Sequence, residues 1–95
     1  MLPKPKRSKN SALLEDVRSC PCLICRGRDS DAHHIRTRGA GGGDNWWNVI
    51  PLCRAHHTEW HNIGAIRFLN RYPDALEFLG KLGWQLNGGI LFHVD

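Results

Sequence analysis

Four side chains of the types that bind zinc occur as two pairs in this sequence. The pairs are Cys22 with Cys25 and Cys53 with His56, and two residues separate the members of each pair. This spacing lets a tight turn direct both ligands at one ion, and thiolates with an imidazole suit tetrahedral zinc. We therefore predict a structural Zn²⁺ bound by these four residues. The alternative interpretation is a set of buried, reduced thiols.

The chain contains four cysteines, an even number that would permit two disulfides. Nothing in the sequence indicates an oxidising compartment, and in a reducing one clustered cysteines beside histidines more often bind metal. Cys20 lies outside the two pairs and is assigned no role.

Histidines are concentrated in the segment that the two pairs enclose and in the residues just after it. His57 and His61 are four residues apart, so on a helix they share one face and can reach one ion. His33 and His34 are adjacent in a predicted strand. Their side chains should point to opposite sides, unless a local twist brings both to one site.

The elements that must position these side chains are short. Glycines at 41, 42 and 43 exclude regular structure between two predicted strands. Gly64 ends the helix that carries His57 and His61. We predict helices over 12–18, 54–63, 65–71 and 74–82, strands around 32–35 and over 47–52, and a C-terminal hairpin with its turn at 87–89.

The chain has 95 residues and a net charge of +4, which predicts one small domain, residues 11–95, behind a flexible basic arm, residues 1–10. The arm contains four basic residues and no acidic one. Such an arm either attracts phosphate backbones or is a solvated leader. No apolar run is long enough to span a membrane, and the N-terminus lacks the apolar core of a secretory signal. We therefore predict a soluble, cytoplasmic protein.

The order of these motifs resembles a known family. The sequence has His-His-Ile at 33–35, Asn-Val-Ile-Pro-Leu-Cys at 48–53 and His-His-x₃-His at 56–61. These motifs occur together with the Cys-x₂-Cys and Cys-x₂-His ligand pairs. This arrangement is similar to the HNH (His-metal finger, ββα-metal) endonucleases, especially small phage and prophage members with a glycine-rich loop between two strands. The motif core covers residues 20–64. The resemblance implies an α+β domain: a small ββα-metal finger with structural zinc, flanking short helices and the C-terminal hairpin.

The resemblance also implies a role for each matching residue. His34 corresponds to the general base that deprotonates water, and Asn48 to the asparagine that orients this base. His57 matches a ligand of a catalytic divalent metal. His33 stands where the family often has an aspartate ligand, and His61 fits as a further ligand or a phosphate contact. Because His33 is neutral where an aspartate is charged, the preferred ion stays open among Mg²⁺, Mn²⁺, Ni²⁺ and Zn²⁺.

The function that follows is a metal-dependent endonuclease or nickase with low sequence specificity, which acts on nucleic acid, with double-stranded DNA as the expected substrate. Arg36 and Arg38 are the candidate phosphate contacts, with surface solvation as the alternative. Trp46 and Trp47 suggest base stacking, although core packing is expected for at least one of them. Two other functions remain open: a non-catalytic, zinc-dependent nucleic-acid-binding module, and a structural zinc domain that docks onto a larger phage or host complex.

Overall fold

A computed structural model describes residues 9–94 of the chain. Within this range the fold is α+β, as predicted, with four helices and two separate antiparallel strand pairs. The elements are α1 (Ser11–Arg18), β1 (Ser30–His34), β2 (Val49–Cys53), α2 (Arg54–Ile63), α3 (Ala65–Arg71), α4 (Pro73–Lys81), β3 (Trp84–Asn87) and β4 (Ile90–His93).

Strands β1 and β2 pair in antiparallel register and lead directly into α2. Ser30 lies opposite Cys53 at one end of the pair, and His34 lies opposite Val49 at the other. Because α2 begins at the residue after β2, the end of the strand and the first turn of the helix stay adjacent. The second ligand pair, Cys53 and His56, is therefore carried by one continuous strand–helix unit. The same unit carries His57 and His61.

The side chain of a buried asparagine holds the backbone of the loop between β1 and β2 in place. The Asn48 side chain accepts a hydrogen bond from Arg36 N and donates to the carbonyl oxygens of Arg36 and Gly43. The chain also passes so close to itself that a Cβ added at Gly42 would lie 1.8 Å from Arg36 O. Only glycine fits at that position, so these residues give the glycine-rich loop a defined path.

β2 begins at Val49, two residues later than predicted. The backbone N–H of Asn48 donates to Asn45 O. This hydrogen bond closes a turn where a strand was predicted. Trp47 precedes the strand and packs against the C-terminal hairpin: its ring lies 3.9 Å from the ring of His93, and its carbonyl accepts from Trp84 Nε1. Trp46, by contrast, is 64% exposed. One of the two tryptophans thus takes the predicted core role.

The core lies between the strand–helix unit and the C-terminal elements. Its buried members come from β2, α2, α3, α4 and β3, and they are Ile50, Leu52, Trp60, Phe68, Leu69, Ala75, Leu79 and Trp84, with Cys22 from the first ligand pair. The predicted C-terminal hairpin is confirmed as β3 and β4. Helix α4 begins at Pro73, one residue before the predicted start, because the fixed φ of proline suits the first helical position.

Helix α1 begins at Ser11 and is capped by the residue before it. Asn10 Oδ1 accepts from Leu13 N, which satisfies one of the free amides of the first turn. Residues 1–8 of the predicted basic arm lie outside the described residues. Among residues 9–94, no helix has the length and apolar character needed to cross a membrane.

Candidate metal centres and catalytic cleft

The first candidate site is the cysteine–histidine cluster, formed by Cys22, Cys25, Cys53 and His56. Their ligand atoms all lie within 4.8 Å of one another, so one metal ion could be bound by all four. Cys25 Sγ is 3.8 Å from Cys53 Sγ, and His56 Nδ1 is 3.2 Å from Cys53 Sγ. The predicted ligand set is therefore brought together by the fold, with the four side chains free of disulfides.

The local turn favours the thiolate form of Cys22 but not that of Cys25. Burial by itself raises the pKa of the Cys22 thiol, but hydrogen bonds from the backbone of Cys53, Cys25 and Ile24 outweigh it and lower the pKa to about 6. At Cys25 the backbone hydrogen bond with Gly27 lowers the pKa, but desolvation and the neighbouring Cys22 and Cys53 sulfurs leave it raised. Crowded sulfurs repel when they ionise, and a cation among them would remove that repulsion.

The second candidate site is the histidine triad, formed by His33 of β1 with His57 and His61 of α2. One ring nitrogen from each lies within 4.8 Å of the others. His57 and His61 are one helical turn apart, and their Nε2 atoms are 3.1 Å from each other. Three imidazoles that converge in this way match the nitrogen-rich sites used by first-row divalent metals.

His33 is the buried member of the triad and has unsatisfied nitrogens. Its side chain is 1% exposed, and neither ring nitrogen has a hydrogen-bond partner among the described residues. Burial, followed by the proximity of His57, His61 and His34, lowers the pKa of His33 to about 3. The ring is therefore neutral at physiological pH, with a lone pair available for a ligand. A metal ion at the triad would satisfy a buried polar atom that is otherwise costly.

A carboxylate on β1 orients the His57 ring. Asp31 Oδ2 is 2.9 Å from His57 Nδ1, while Arg54 Nη2 donates to Asp31 Oδ1 at 3.2 Å. An ionised carboxylate can only accept, so this contact favours the neutral tautomer of His57 with the proton on Nδ1 and the Nε2 lone pair toward the triad. This is the pattern of a metal-binding histidine held by a carboxylate partner.

His34 is bound on the other side by a second carboxylate. His34 Nε2 lies 2.7 Å from Asp44 Oδ1, and Arg38 Nη2 donates to the same oxygen at 2.9 Å. Asp44 comes from the glycine-rich loop, and its side chain is only 2% exposed. The partner of the His34 ring is thus a buried carboxylate, and not the side chain of Asn48 that the resemblance implied.

One open cleft joins these groups. Its walls are formed by residues of β1, the loop that follows it and α2, namely Ala32, His33, His34, Thr37, Arg38, His57 and His61. His33 and His34, which are adjacent on β1, both border this cleft. Of the two candidate phosphate contacts, only Arg38 is at the cleft. The guanidinium of Arg36 instead lies about 6 Å from the rings of Trp47 and Trp84.

Asn48 precedes Val49, the sheet partner of His34, but its side chain makes no hydrogen bond with the His34 ring. All of its side-chain hydrogen bonds are with backbone atoms of the loop, at Arg36 and Gly43. Asn48 fixes the segment that follows β1 and the loop that carries Asp44, so its link to His34 runs through the loop backbone and Asp44.

Sequence reasoning missed both carboxylates. Asp31 and His33 are two residues apart on β1, and this alternation places them on one face, so Asp31 could have been found from the strand pattern. Asp44 offered no such signal, because an aspartate in a glycine-rich loop is ordinarily a turn residue.

Comparisons with known proteins place the chain in a family. The family model described as "Protein of unknown function (DUF968)" matches residues 1–82. The chain belongs to this family. The match includes all of the cysteine–histidine cluster and the histidine triad, and it ends before β3.

Two relatives of this DUF968 chain are considerably longer than it is. The "Uncharacterized protein YdfU" of Escherichia coli (strain K12) is 33% identical over 81 residues, which are 82% of this chain and 23% of that protein. The "Uncharacterized 38.5 kDa protein in psbA intron 1" of Chlamydomonas moewusii is 32% identical over 66 residues, 58% of this chain and 19% of that protein. The chain thus spans about a quarter or less of either relative. No solved structure matches it significantly.

The position of Asp31 in this DUF968 chain leads to a prediction about metal affinity. In the Asp31→Asn variant, the amide cannot hold His57 Nδ1–H as a carboxylate does, so the triad should bind divalent metal about 10- to 100-fold more weakly. Isothermal titration of the protein with Mn²⁺ or Ni²⁺ measures this. Asp29→Asn is the matched control, because Asp29 is exposed and asparagine tolerates its positive φ of 64°. Equal affinities of the two variants would contradict the role of Asp31.

Proposed function

We propose that this chain is a metal-dependent endonuclease or nickase of the HNH type, which hydrolyses phosphodiester bonds of nucleic acid. The observation that carries the proposal is the cleft in which the histidine triad and His34 meet. In this interpretation β1, β2 and α2 form the ββα-metal finger. The triad is the metal site, and His34 is a base that does not itself ligate the metal.

The residues of the triad fit a catalytic divalent cation. Three imidazole nitrogens converge there, and the buried ring of His33 has no hydrogen-bond partner within residues 9–94. When bound, such a cation would neutralise charge that builds up on the phosphoryl oxygens during hydrolysis. Asp31 would keep the His57 ring in the orientation that the metal needs.

His34 would supply the proton transfer. A water molecule loses a proton to the ring, its oxygen forms a bond to phosphorus, and the bond from phosphorus to the 3′ oxygen breaks. The leaving oxygen then takes a proton from solvent, which gives 5′-phosphate and 3′-hydroxyl ends. An imidazole is suited to this step near neutral pH, where a general base contributes about 10²- to 10⁴-fold to the rate.

The cysteine–histidine cluster would hold a structural zinc ion. Three thiols and one imidazole form a closed tetrahedral set, with no position left for water or substrate. His56 of this cluster and His57 of the triad are neighbours on α2. A zinc ion at the start of α2 would therefore fix the helix that carries two of the three catalytic-metal ligands.

Double-stranded DNA is the proposed substrate, bound mainly through its phosphates. Arg38 borders the cleft, and the basic residues of the N-terminal arm add to a net charge of +4. A domain of this size has little surface with which to read bases, so we propose low sequence specificity. A phage or host protein partner would supply any specificity beyond that.

We expect the purified protein to convert supercoiled plasmid to the nicked form when Mg²⁺, Mn²⁺, Ni²⁺ or Zn²⁺ is supplied. Agarose electrophoresis over a time course measures the conversion. Omission of the added metal should stop cleavage while the tightly held zinc stays bound.

Three outcomes separate the candidate functions. Metal-dependent nicking supports the endonuclease. Salt-sensitive DNA binding without cleavage by any of the four metals would indicate the non-catalytic binding module instead. Absence of both cleavage and DNA affinity at low salt would leave only a structural zinc domain.

A further inference from the structure

Asp44 is a buried carboxylate on which three hydrogen-bond donors converge. Its Oδ2 accepts from the backbone amide of Asn10, while its Oδ1 is 2.7 Å from His34 Nε2 and accepts from Arg38 Nη2. The side chain is 2% exposed, against 17% for His34 and 46% for Arg38. The residue before α1, the last residue of β1 and the loop between β1 and β2 thus each contribute a contact to this one side chain.

The surroundings of Asp44 keep it ionised. Burial alone raises the pKa of its carboxyl, but the hydrogen bonds from Asn10 and His34 and the charge of Arg38 outweigh burial and leave the pKa below its ordinary value. At neutral pH Asp44 is therefore a carboxylate, which can accept hydrogen bonds but cannot donate one.

The proton on the short bond between His34 and Asp44 must then come from the histidine. A neutral imidazole carries one proton, so a proton on Nε2 leaves Nδ1 with the free lone pair. We propose that Asp44 is a positioning residue that fixes His34 in the tautomer with the proton on Nε2, so that Nδ1 is the atom that accepts the proton of the attacking water. The role of Nδ1 as proton acceptor rests on the proposed function. The tautomer of His34 can be tested independently of that function.

The path of the loop supports a positioning role. Asn48 binds the loop backbone at Gly43, the residue before Asp44, and the close approach at Gly42 allows no side chain. These contacts hold the Asp44 carboxylate beside His34, although Asp44 is not paired with β1 in the sheet. A carboxylate that holds the imidazole of a general base also stabilises the positive charge the ring acquires when it takes a proton.

The competing role for Asp44 is a purely structural one, as the buried acceptor that ties Asn10 and Arg38 to the loop. That role makes no demand on which nitrogen of His34 carries the proton. The position of the proton on the His34 ring therefore distinguishes the positioning role of Asp44 from the structural one.

The experiment is a long-range ¹H–¹⁵N correlation spectrum of the zinc-loaded, ¹⁵N-labelled wild-type protein without added second metal. It is recorded at about pH 8.5, well above the ordinary histidine pKa of about 6.5. The His34 signals are assigned by their loss in His34→Gln. We expect Nε2 to carry the proton and Nδ1 to carry none. A ring with its proton on Nδ1, or on both nitrogens, would overturn the proposal.

Variants of Asp44 provide a second measurement. In Asp44→Asn the side-chain amide can donate to Nε2, which moves the ring proton to Nδ1 and blocks the proposed acceptor. We expect kcat for plasmid nicking to fall by about 10²- to 10⁴-fold with KM little changed. Asp16→Asn is the control, since Asp16 is exposed on α1. Unchanged kcat in a folded, zinc-loaded Asp44→Asn would also overturn the proposal.

Failure of the proposed function has a different signature. If the wild type cuts no nucleic acid with any metal, hydrolysis is ruled out while the spectrum still reports the His34 tautomer. If the wild type cuts but the tautomer is the opposite one, the endonuclease stands and the role of Asp44 falls. The tautomer is read from the wild-type protein, and His34→Gln serves only to assign the signals.

Discussion

Replacing His34 by alanine should slow metal-dependent nicking by about 10²- to 10⁴-fold, the usual contribution of a general base. The zinc content should not change, because His34 is outside the cysteine–histidine cluster. The fold should also persist, since Asp44 keeps its hydrogen bonds from Arg38 and Asn10 and its charge stays paired. Initial rates of plasmid nicking, with zinc measured by mass spectrometry on the same preparations, test all three statements.

Comparison with a triad variant shows whether His34 acts as a base or as a ligand. His57→Ala removes a metal ligand, so its nicking rate should recover in part as the metal concentration is raised. His34→Ala should not recover with metal, because saturation of the triad does not restore a proton acceptor. Added imidazole should restore part of its rate instead. Wild-type rates in His34→Ala would mean that a contaminating nuclease does the cutting.

The local parts of this structure could be predicted because short stretches of sequence determine them. Helices α2 and α3 have the predicted bounds, since Gly64 separates two helical patterns and its φ of 86° suits no other residue well. The pairs Cys22–Cys25, Cys53–His56 and His57–His61 likewise follow from spacing within a turn or along a helix. Each needs only a few neighbouring residues to be recognised.

Contacts between distant segments could not be predicted in this way. The start of β2 depends on the packing of Trp47 against Trp84 and His93, which lie more than thirty residues further along the chain. Asp44 reaches His34 only because the loop folds back over β1. The side chains that orient the predicted ligands and base are therefore the part of the site that required the three-dimensional structure.

Loss of one zinc ligand should unfold the domain. The clearest variant is Cys25→Ser, because Cys25 is exposed and its replacement removes no core packing. A structural zinc ion contributes about 10–16 kcal/mol to the folding of small zinc domains. That contribution is as large as the whole stability of a typical domain, about 5–15 kcal/mol. We expect Cys25→Ser to lose its tightly bound zinc and its cooperative thermal transition, as measured by mass spectrometry and far-ultraviolet circular dichroism.

Cys20→Ser is the matched control, since Cys20 is also exposed and lies outside the cluster. It should keep one tightly held zinc ion per chain after dialysis removes weakly bound metal, and it should melt as the wild type does. Because α2 starts at the cluster and carries His57 and His61, loss of zinc should also disperse the triad, so Cys25→Ser should no longer bind Mn²⁺ or Ni²⁺. If the two serine variants melt within a few degrees of each other and bind equal zinc, the cluster is not what holds the cleft together.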